Sequence, residues 1–348
     1  MAEYSTSILT CLLGVLVVAV ATSQALHVPA LSHWEKTFPN VAIPSSLLSS
    51  VSPIDGTAEA NRIVDEIIKH AIQHGPQFCE ILGSLCDENV EIAPYNSAFT
   101  SSFIAAHIAP EGPSRTLGIN TINDFQFDFF LEENLVKGAK MNLTENLHDP
   151  IPKRAFLPKV VADLLSPLST SNLPKLRQTF NIGENTKMAT IMGTATYLCE
   201  NPPLPGEERA CPTSVETMAE FVASQLGKNV KLLETRGAPA NAPVEKKPVT
   251  VEDFTKLSLE EGKKIVICHN LMFPSQVYYC HHVKGTKVVQ ASLAAADGST
   301  ISGVAVCHLD TTMWSSEHPA FAALKIPRGA EACHWTAQND YIWVPSQL

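Results

Sequence analysis

The chain has 348 residues, room for one large domain or two ordinary ones, each able to bury a core. It is 45% hydrophobic and 17% charged, with a formal net charge of -10 from 25 Lys and Arg against 35 Asp and Glu. That balance argues against a protein that tracks a phosphate backbone, and no basic stripe with interleaved aromatics points to nucleic acid.

Residues 8–21, ILTCLLGVLVVAVA, form an uncharged apolar run directly behind the N-terminus. Its length suits a signal-peptide core and is short for a membrane span. Small residues at Ser23-Gln24-Ala25 predict cleavage after residue 25, although the preceding MAEYSTS carries Glu3 and no Lys or Arg. No later segment is apolar enough to span a bilayer, so a secreted chain without a membrane span after signal cleavage is expected. Cys11 leaves with the signal, and Cys79, Cys86, Cys199, Cys211, Cys268, Cys280, Cys307 and Cys333 remain. An even count in an oxidising compartment favours disulfides. Asn142-Leu143-Thr144 is a glycosylation sequon, which fits the same compartment.

Residues 26–127 read as a variable N-terminal region. Its first stretch, LHVPALSHWEKTFPNVAIPSSLLSSVSPIDG, lacks clear periodicity. Ile63, Val64, Ile67, Ile68, Ala71 and Ile72 then recur at helical spacing, predicting an amphipathic helix at about 58–74 that Gly75-Pro76 stops. His70 and His74 sit one turn apart on it and read as a solvent-facing pair. PQFCEILGSLCDE continues as a short helix. If it is unbroken, Cys79 and Cys86 stand roughly 10 Å apart and cannot bridge, whereas a break at Gly83 would let them meet. Residues 88–124 read as a linker or loosely packed strands.

A second unit, 128–348, opens with FDFFLEENLVKGAKMNL. Helices are expected at 157–165, 172–180 and 185–199. Thr213 and Glu216 form a capping box, and Val215, Met218, Ala219, Val222 and Leu226 carry an apolar stripe to Gly227. Cys199 and Cys211 are placed to staple the hairpin between two of these helices. Residues 237–249 read as a surface loop. Beyond them IVIC, QVYYC, KVVQASLAA, ISGVAVC and YIWVP are β-branched or aromatic runs, with a hairpin turn at Asp297-Gly298 and a helix in HPAFAALK. The fold class is α+β: a helical N-terminal region, with helices packed on a disulfide-braced, mainly antiparallel β C-terminal domain.

Four Cys-His dipeptides punctuate this unit: Cys268-His269, Cys280-His281, Cys307-His308 and Cys333-His334. Adjacent side chains on a strand point to opposite faces. The cysteines can therefore join as disulfides on one face while the histidines converge on the other. Four imidazoles without carboxylates or free thiolates suit Cu(II), Zn(II) or Ni(II). The rivals are zinc held by mixed Cys and His, and a braced sheet whose histidines are hydrogen-bonded core residues. His282 reads as an exposed strand-end residue, Asp310 as a turn cap and His318 as a loop residue. No nucleophile elbow, phosphate loop, HExxH or CxxC occurs, and no catalytic residue is assigned.

The spacing CH-x10-CH-x25-CH-x24-CH followed by x8 and Trp343 resembles the defining motif of the plant BURP-domain family. FFLEENLVKGAKMNL, FLPKVVADLLSPLSTSNLPKL, GEERACPTSVETMAEF and WVP agree with it, and HWEKTFPNVAIP is similar to the family's short N-terminal segment. The resemblance implies a secreted protein of the plant apoplast or cell wall with a developmental, seed, anther or stress-related role, or a non-catalytic subunit beside a wall hydrolase. Its partners would be a cell-wall component, a partner protein or a precursor peptide. Some members are copper-dependent peptide cyclases that cross-link Tyr or Trp side chains of a ribosomal precursor. By that resemblance His269, His281, His308 and His334 would be the metal ligands and copper the cofactor. Fused cyclases carry repeated core peptides before the domain, whereas residues 26–127 hold only Trp34 and Tyr95 and no repeat. A cyclase here would take its precursor in trans.

Overall fold

The computed structural model describes residues 28–68, 76–89, 129–143, 152–238, 247–257, 263–282, 284–316 and 318–347. The glycosylation sequon's Thr144, the paired His70 and His74, and the stretch 90–128 lie outside them. Asn142 itself is on a strand, its backbone opposite Pro248.

Eleven described strands run in chain order: β1 Phe129–Phe130, β2 Lys140–Leu143, β3 Glu208–Ala210, β4 Val230–Leu233, β5 Lys247–Leu257, β6 Val266–Leu271, β7 Val277–His282, β8 Thr286–Ala295, β9 Thr300–His308, β10 Ala332–Trp335 and β11 Tyr341–Pro345. They form a six-stranded sheet, order β1-β10-β9-β8-β5-β2, and a five-stranded sheet, order β3-β7-β6-β11-β4. Every pairing within them is antiparallel. The two sheets share one apolar layer. Ile267, Ile342 and Val344 of the smaller sheet, with Ile265 just ahead of β6, meet Val288, Val304 and Val306 of the larger. Runs this rich in β-branched residues on both faces belong to strands buried on both sides, and every residue of β6 and β7 is buried. Asp297-Gly298 makes the β8–β9 turn as expected: the Asp297 carboxylate accepts from the Ser299 amide at 3.0 Å, and Gly298 takes φ +82°.

Helices cover the outer face of the smaller sheet and one end of the sandwich. Near the N-terminus come α1 Pro29–Thr37, α2 Ser45–Leu48, α3 Ala58–Ile68 and α4 Pro76–Leu82. Next are α5 Lys159–Ala162, α6 Leu173–Thr179, α7 Lys187–Glu200 and α8 Val215–Leu226, and α9 Pro319–Leu324 follows β9. The aperiodic N-terminal stretch is therefore not loose. Trp34 of α1 and Phe38 at its C-cap bury against Trp343 of β11, with ring centroids 5.3 and 5.0 Å away, and Met218 and Val222 of α8 join them. Two short helices punctuated by proline give no long period to read, which is why the pattern hid them.

Of the two alternatives open for Cys79 and Cys86, the structure takes the bridged one: they are bonded, with Cα atoms 6.0 Å apart. Gly83 takes φ +66° and ends α4, so the Ser84 amide turns back to the Cys79 carbonyl at 2.7 Å. The break that would permit the bridge is present. The cap of α8 is one residue later than predicted: Ser214, not Thr213, accepts from the Thr217 amide, and Thr217 returns a side-chain bond to the Ser214 amide. The last three residues of the predicted 237–249 surface loop are strand instead, since β5 begins at Lys247 beside β2 and β8. The expected 157–165 helix is only the single turn of α5. The Cys199–Cys211 bridge forms as expected, joining the end of α7 to the chain just after β3.

Candidate functional site

The four Cys-His dipeptides build two copies of one device. On β6 and β7, Cys268 lies directly opposite Cys280 and the two are bonded. On β9 and β10, Cys307 lies opposite Cys333 and these are bonded too. Because side chains alternate, each histidine next to its cysteine points to the other face. The register says which face that is. His281 pairs with Ile267, and His334 pairs with Val306, both residues of the layer between the sheets. The histidines thus belong to the inner faces and the disulfides to the outer ones. The outer cores confirm the division. Cys268 and Cys280 sit among Trp34, Met218, Tyr278 and Trp343, and Cys307 and Cys333 among Phe130, Leu135 and Trp335.

Within each device the histidines are diagonal neighbours. The His269 and His281 rings lie 5.3 Å apart, and the His308 and His334 rings stack at 5.6 Å. His269, His281 and His308 are buried. The two pairs are coupled across the seam, because His269 acts electrostatically on His334. Loss of solvent around His334, reinforced by His269, pushes its pKa down to about 4.

Two buried carboxylates stand behind the first pair. Asp340, just ahead of β11, places Oδ2 3.3 Å from Nδ1 of His269, while its Oδ1 accepts from the Asn270 amide at 3.0 Å. Burial raises its pKa to about 7 against the lowering effect of its backbone bonds to Asn270 and Ala337. Glu207, just ahead of β3, places Oε1 2.8 Å from Nδ1 of His281 and 2.9 Å from the Tyr279 hydroxyl, which donates to it. Desolvation, then the charge of Glu207, drives the Tyr279 phenol upward and keeps it protonated. The second pair has a different setting. His334 Nδ1 lies 3.1 Å from the Trp335 carbonyl, and His308 packs edge-on against Trp314 at 5.1 Å.

Three further histidine and aspartate expectations are settled. His282 is buried rather than exposed, its Nδ1 2.9 Å from the Ile265 carbonyl, and desolvation lowers its pKa. His318 is also buried. It caps α9 by accepting from the Ala320 amide, and Trp314 lies 4.1 Å from its ring. Asp310 caps its turn by accepting from the Thr312 amide. Glu207 and Asp340 were not singled out by sequence. Their only signal is an acid one position ahead of a strand, which a surface residue would give equally.

The donor set can be tested against a metal on its chemistry. Imidazoles on the inner faces, with Nδ1 of His269 and His281 directed at carboxylates, are oriented as metal-ligating histidines often are. The placement does not close a coordination shell: among the described residues no three His, Cys, Asp or Glu side chains are grouped so as to hold an ion. The donor types suit a borderline metal, and the fold leaves them as two pairs.

Comparison with known proteins adds the following. A family model described as the BURP domain matches residues 128–345. The polygalacturonase non-catalytic subunit AroGP3 of Solanum lycopersicum is 35% identical over 218 residues, covering 62% of this chain and 34% of that protein. Polygalacturonase-1 non-catalytic subunit beta of the same species is 34% identical over 221 residues, with the same coverage. The BURP domain protein RD22 of Arabidopsis thaliana is 34% identical over 218 residues, covering 62% of this chain and 55% of that protein. The matches span about a third of the length of the polygalacturonase subunits and about half of RD22.

Proposed function

The chain belongs to the BURP domain family, and from that premise we propose that it is a secreted plant wall protein that works by binding a partner protein rather than by turnover. Its setting would be development, seed, anther or stress in the apoplast. The observation that carries the reading is the shared stretch itself: relatives named as non-catalytic polygalacturonase subunits match the disulfide-braced sandwich. Secretion is supported by the four disulfides, which an oxidising compartment sustains. No helix among the described residues is long and apolar enough to cross a membrane.

Within this reading His269, His281, His308 and His334 would hold a borderline metal, copper first. Bound copper would supply a redox-active centre that zinc cannot. The chain's own contribution is to bury His269, His281 and His308 and to orient two of the imidazoles through Asp340 and Glu207.

The test uses the full chain secreted from plant cells. Its metal content is measured, and it is then mixed with a polygalacturonase and, separately, with a Tyr- and Trp-bearing peptide plus Cu(II). Co-elution with the enzyme and no change in peptide mass are expected. Loss of two hydrogens from the peptide over many turnovers would overturn the non-catalytic reading and make the chain a cyclase acting in trans.

A further inference from the structure

We propose that Glu207 is a positioning residue for His281, and that the Cys199–Cys211 disulfide holds it in place. The inference rests on the histidine metal reading and assigns to that site a control point outside the Cys-His repeat. Glu207 lies within the loop that the bridge closes, between the end of α7 and the residue after β3. Around it residues 202, 203, 205, 206 and 208 are exposed, yet Glu207 is buried. One side chain of this loop is driven inward, and it reaches the inner-face histidine.

Three donors meet the carboxylate there. The Leu204 amide binds Oε2 at 2.8 Å, and Tyr279 and His281 bind Oε1. The Glu207 amide in turn donates to the Leu204 carbonyl at 2.8 Å, closing a tight reciprocal turn. Arg209 of the same loop lies over the Tyr279 ring, 5.6 Å from its centroid, and its guanidinium donates to the Leu198 carbonyl. The loop is thus tied to α7 by a covalent and a polar link.

The chemical consequence follows from tautomerism. A carboxylate only accepts, so whenever His281 is neutral its hydrogen resides on Nδ1, and Nε2 carries the lone pair a metal would take. Without Glu207 the ring is released to the other tautomer and to rotation. Outer partners of this kind are worth about 10- to 100-fold in metal affinity. His269 has its own carboxylate, Asp340, which stands outside the stapled loop and serves as an internal reference.

The experiment reads histidine tautomers by 15N NMR in the metal-free full chain, then Cu(II) affinity. Wild type is expected to show hydrogen on Nδ1 of His281. Glu207→Ala should move hydrogen onto Nε2 and weaken Cu(II) about 10- to 100-fold, leaving His269 unchanged. Glu207→Gln, which keeps an acceptor oxygen without the charge, should hold the tautomer with a smaller loss of affinity. The double variant Cys199→Ala/Cys211→Ala should shift His281 alone, and it decides the matter if Glu207→Ala does not fold. An unchanged His281 tautomer in a folded Glu207→Ala or disulfide variant overturns the proposal. If wild type binds no Cu(II), the metal reading fails by itself, while the tautomer still decides the role of Glu207.

Discussion

The β6–β7 and β9–β10 units share a strand register and differ in everything that touches them. In the first, the Cys268–Cys280 bridge lies under a lid of α1 and α8, and the histidines lean on two carboxylates. In the second, the Cys307–Cys333 bridge packs against Phe130, Leu135 and Trp335, and His334 leans on its neighbour's carbonyl. The comparison teaches that a repeated dipeptide can fix pairing and facing, while residues far off in sequence set the chemistry of each copy. Glu207 and Asp340 are 74 and 71 residues from the rings they hold.

The largest expected break in this symmetry comes from the disulfides. Their closed loops differ, with sequence separations of 12 and 26. Constraint of the unfolded chain alone makes Cys268→Ala/Cys280→Ala cost about 3 kcal/mol and Cys307→Ala/Cys333→Ala about 3.5 kcal/mol. Urea unfolding of both double variants measures the difference. A much greater loss in the first unit would mean that its aromatic lid, not loop closure, dominates the bridge's contribution.

A smaller effect isolates the second unit. Gly303 in β9 has no room for a side chain: an added Cβ would lie 2.9 Å from Leu293 Cδ1 and 2.9 Å from Trp335 Cζ3. Gly303→Ala therefore overpacks this face, at about 1–3 kcal/mol. Trp335 must shift, and its carbonyl is the partner of His334 Nδ1. The expected NMR result is a moved His334 ring signal with His281 undisturbed. Equal movement of both would show that the seam couples the pairs mechanically as well as electrostatically.

How much of this was legible in the sequence depends on the range of each contact. Alternation is local, so the opposed faces of Cys268 and His269 could be read directly, and so could the Asp297-Gly298 turn. The Cys199–Cys211 link was legible because a short loop joins two periodic segments. Cys79–Cys86 hinged on one backbone angle at Gly83, which periodicity does not report. β5 begins within a stretch that reads as loop because its lysines and prolines resemble a linker, whereas it is the pairing with β2 and β8 that makes it a strand. Glu207 and Asp340 needed the tertiary fold, since nothing near them in sequence distinguishes a buried acid from a solvated one.

The lid over the first unit carries its own pH dependence. Asp55 accepts from the Ala30 amide at the start of α1 at 2.9 Å, and Glu216 occupies the first turn of α8. Burial raises both pKa values, and the charge of Asp55 raises Glu216 further, while His33 pulls it down. Between the ordinary carboxylate value and the raised folded value, the folded chain therefore binds protons on these carboxyls that the unfolded chain has released. Their contribution is therefore fully present below the ordinary carboxylate range and is lost as pH rises through the raised folded values. Hydrogen exchange of α1 amides should accordingly show firmer docking near pH 4 than near pH 7, after correction for the intrinsic pH dependence of exchange. Strands β9 and β10 provide the comparison, and Asp55→Asn with Glu216→Gln should flatten the difference. An α1 that loosens on acidification instead would mean that the paired charges, not the cost of burying them, govern the lid.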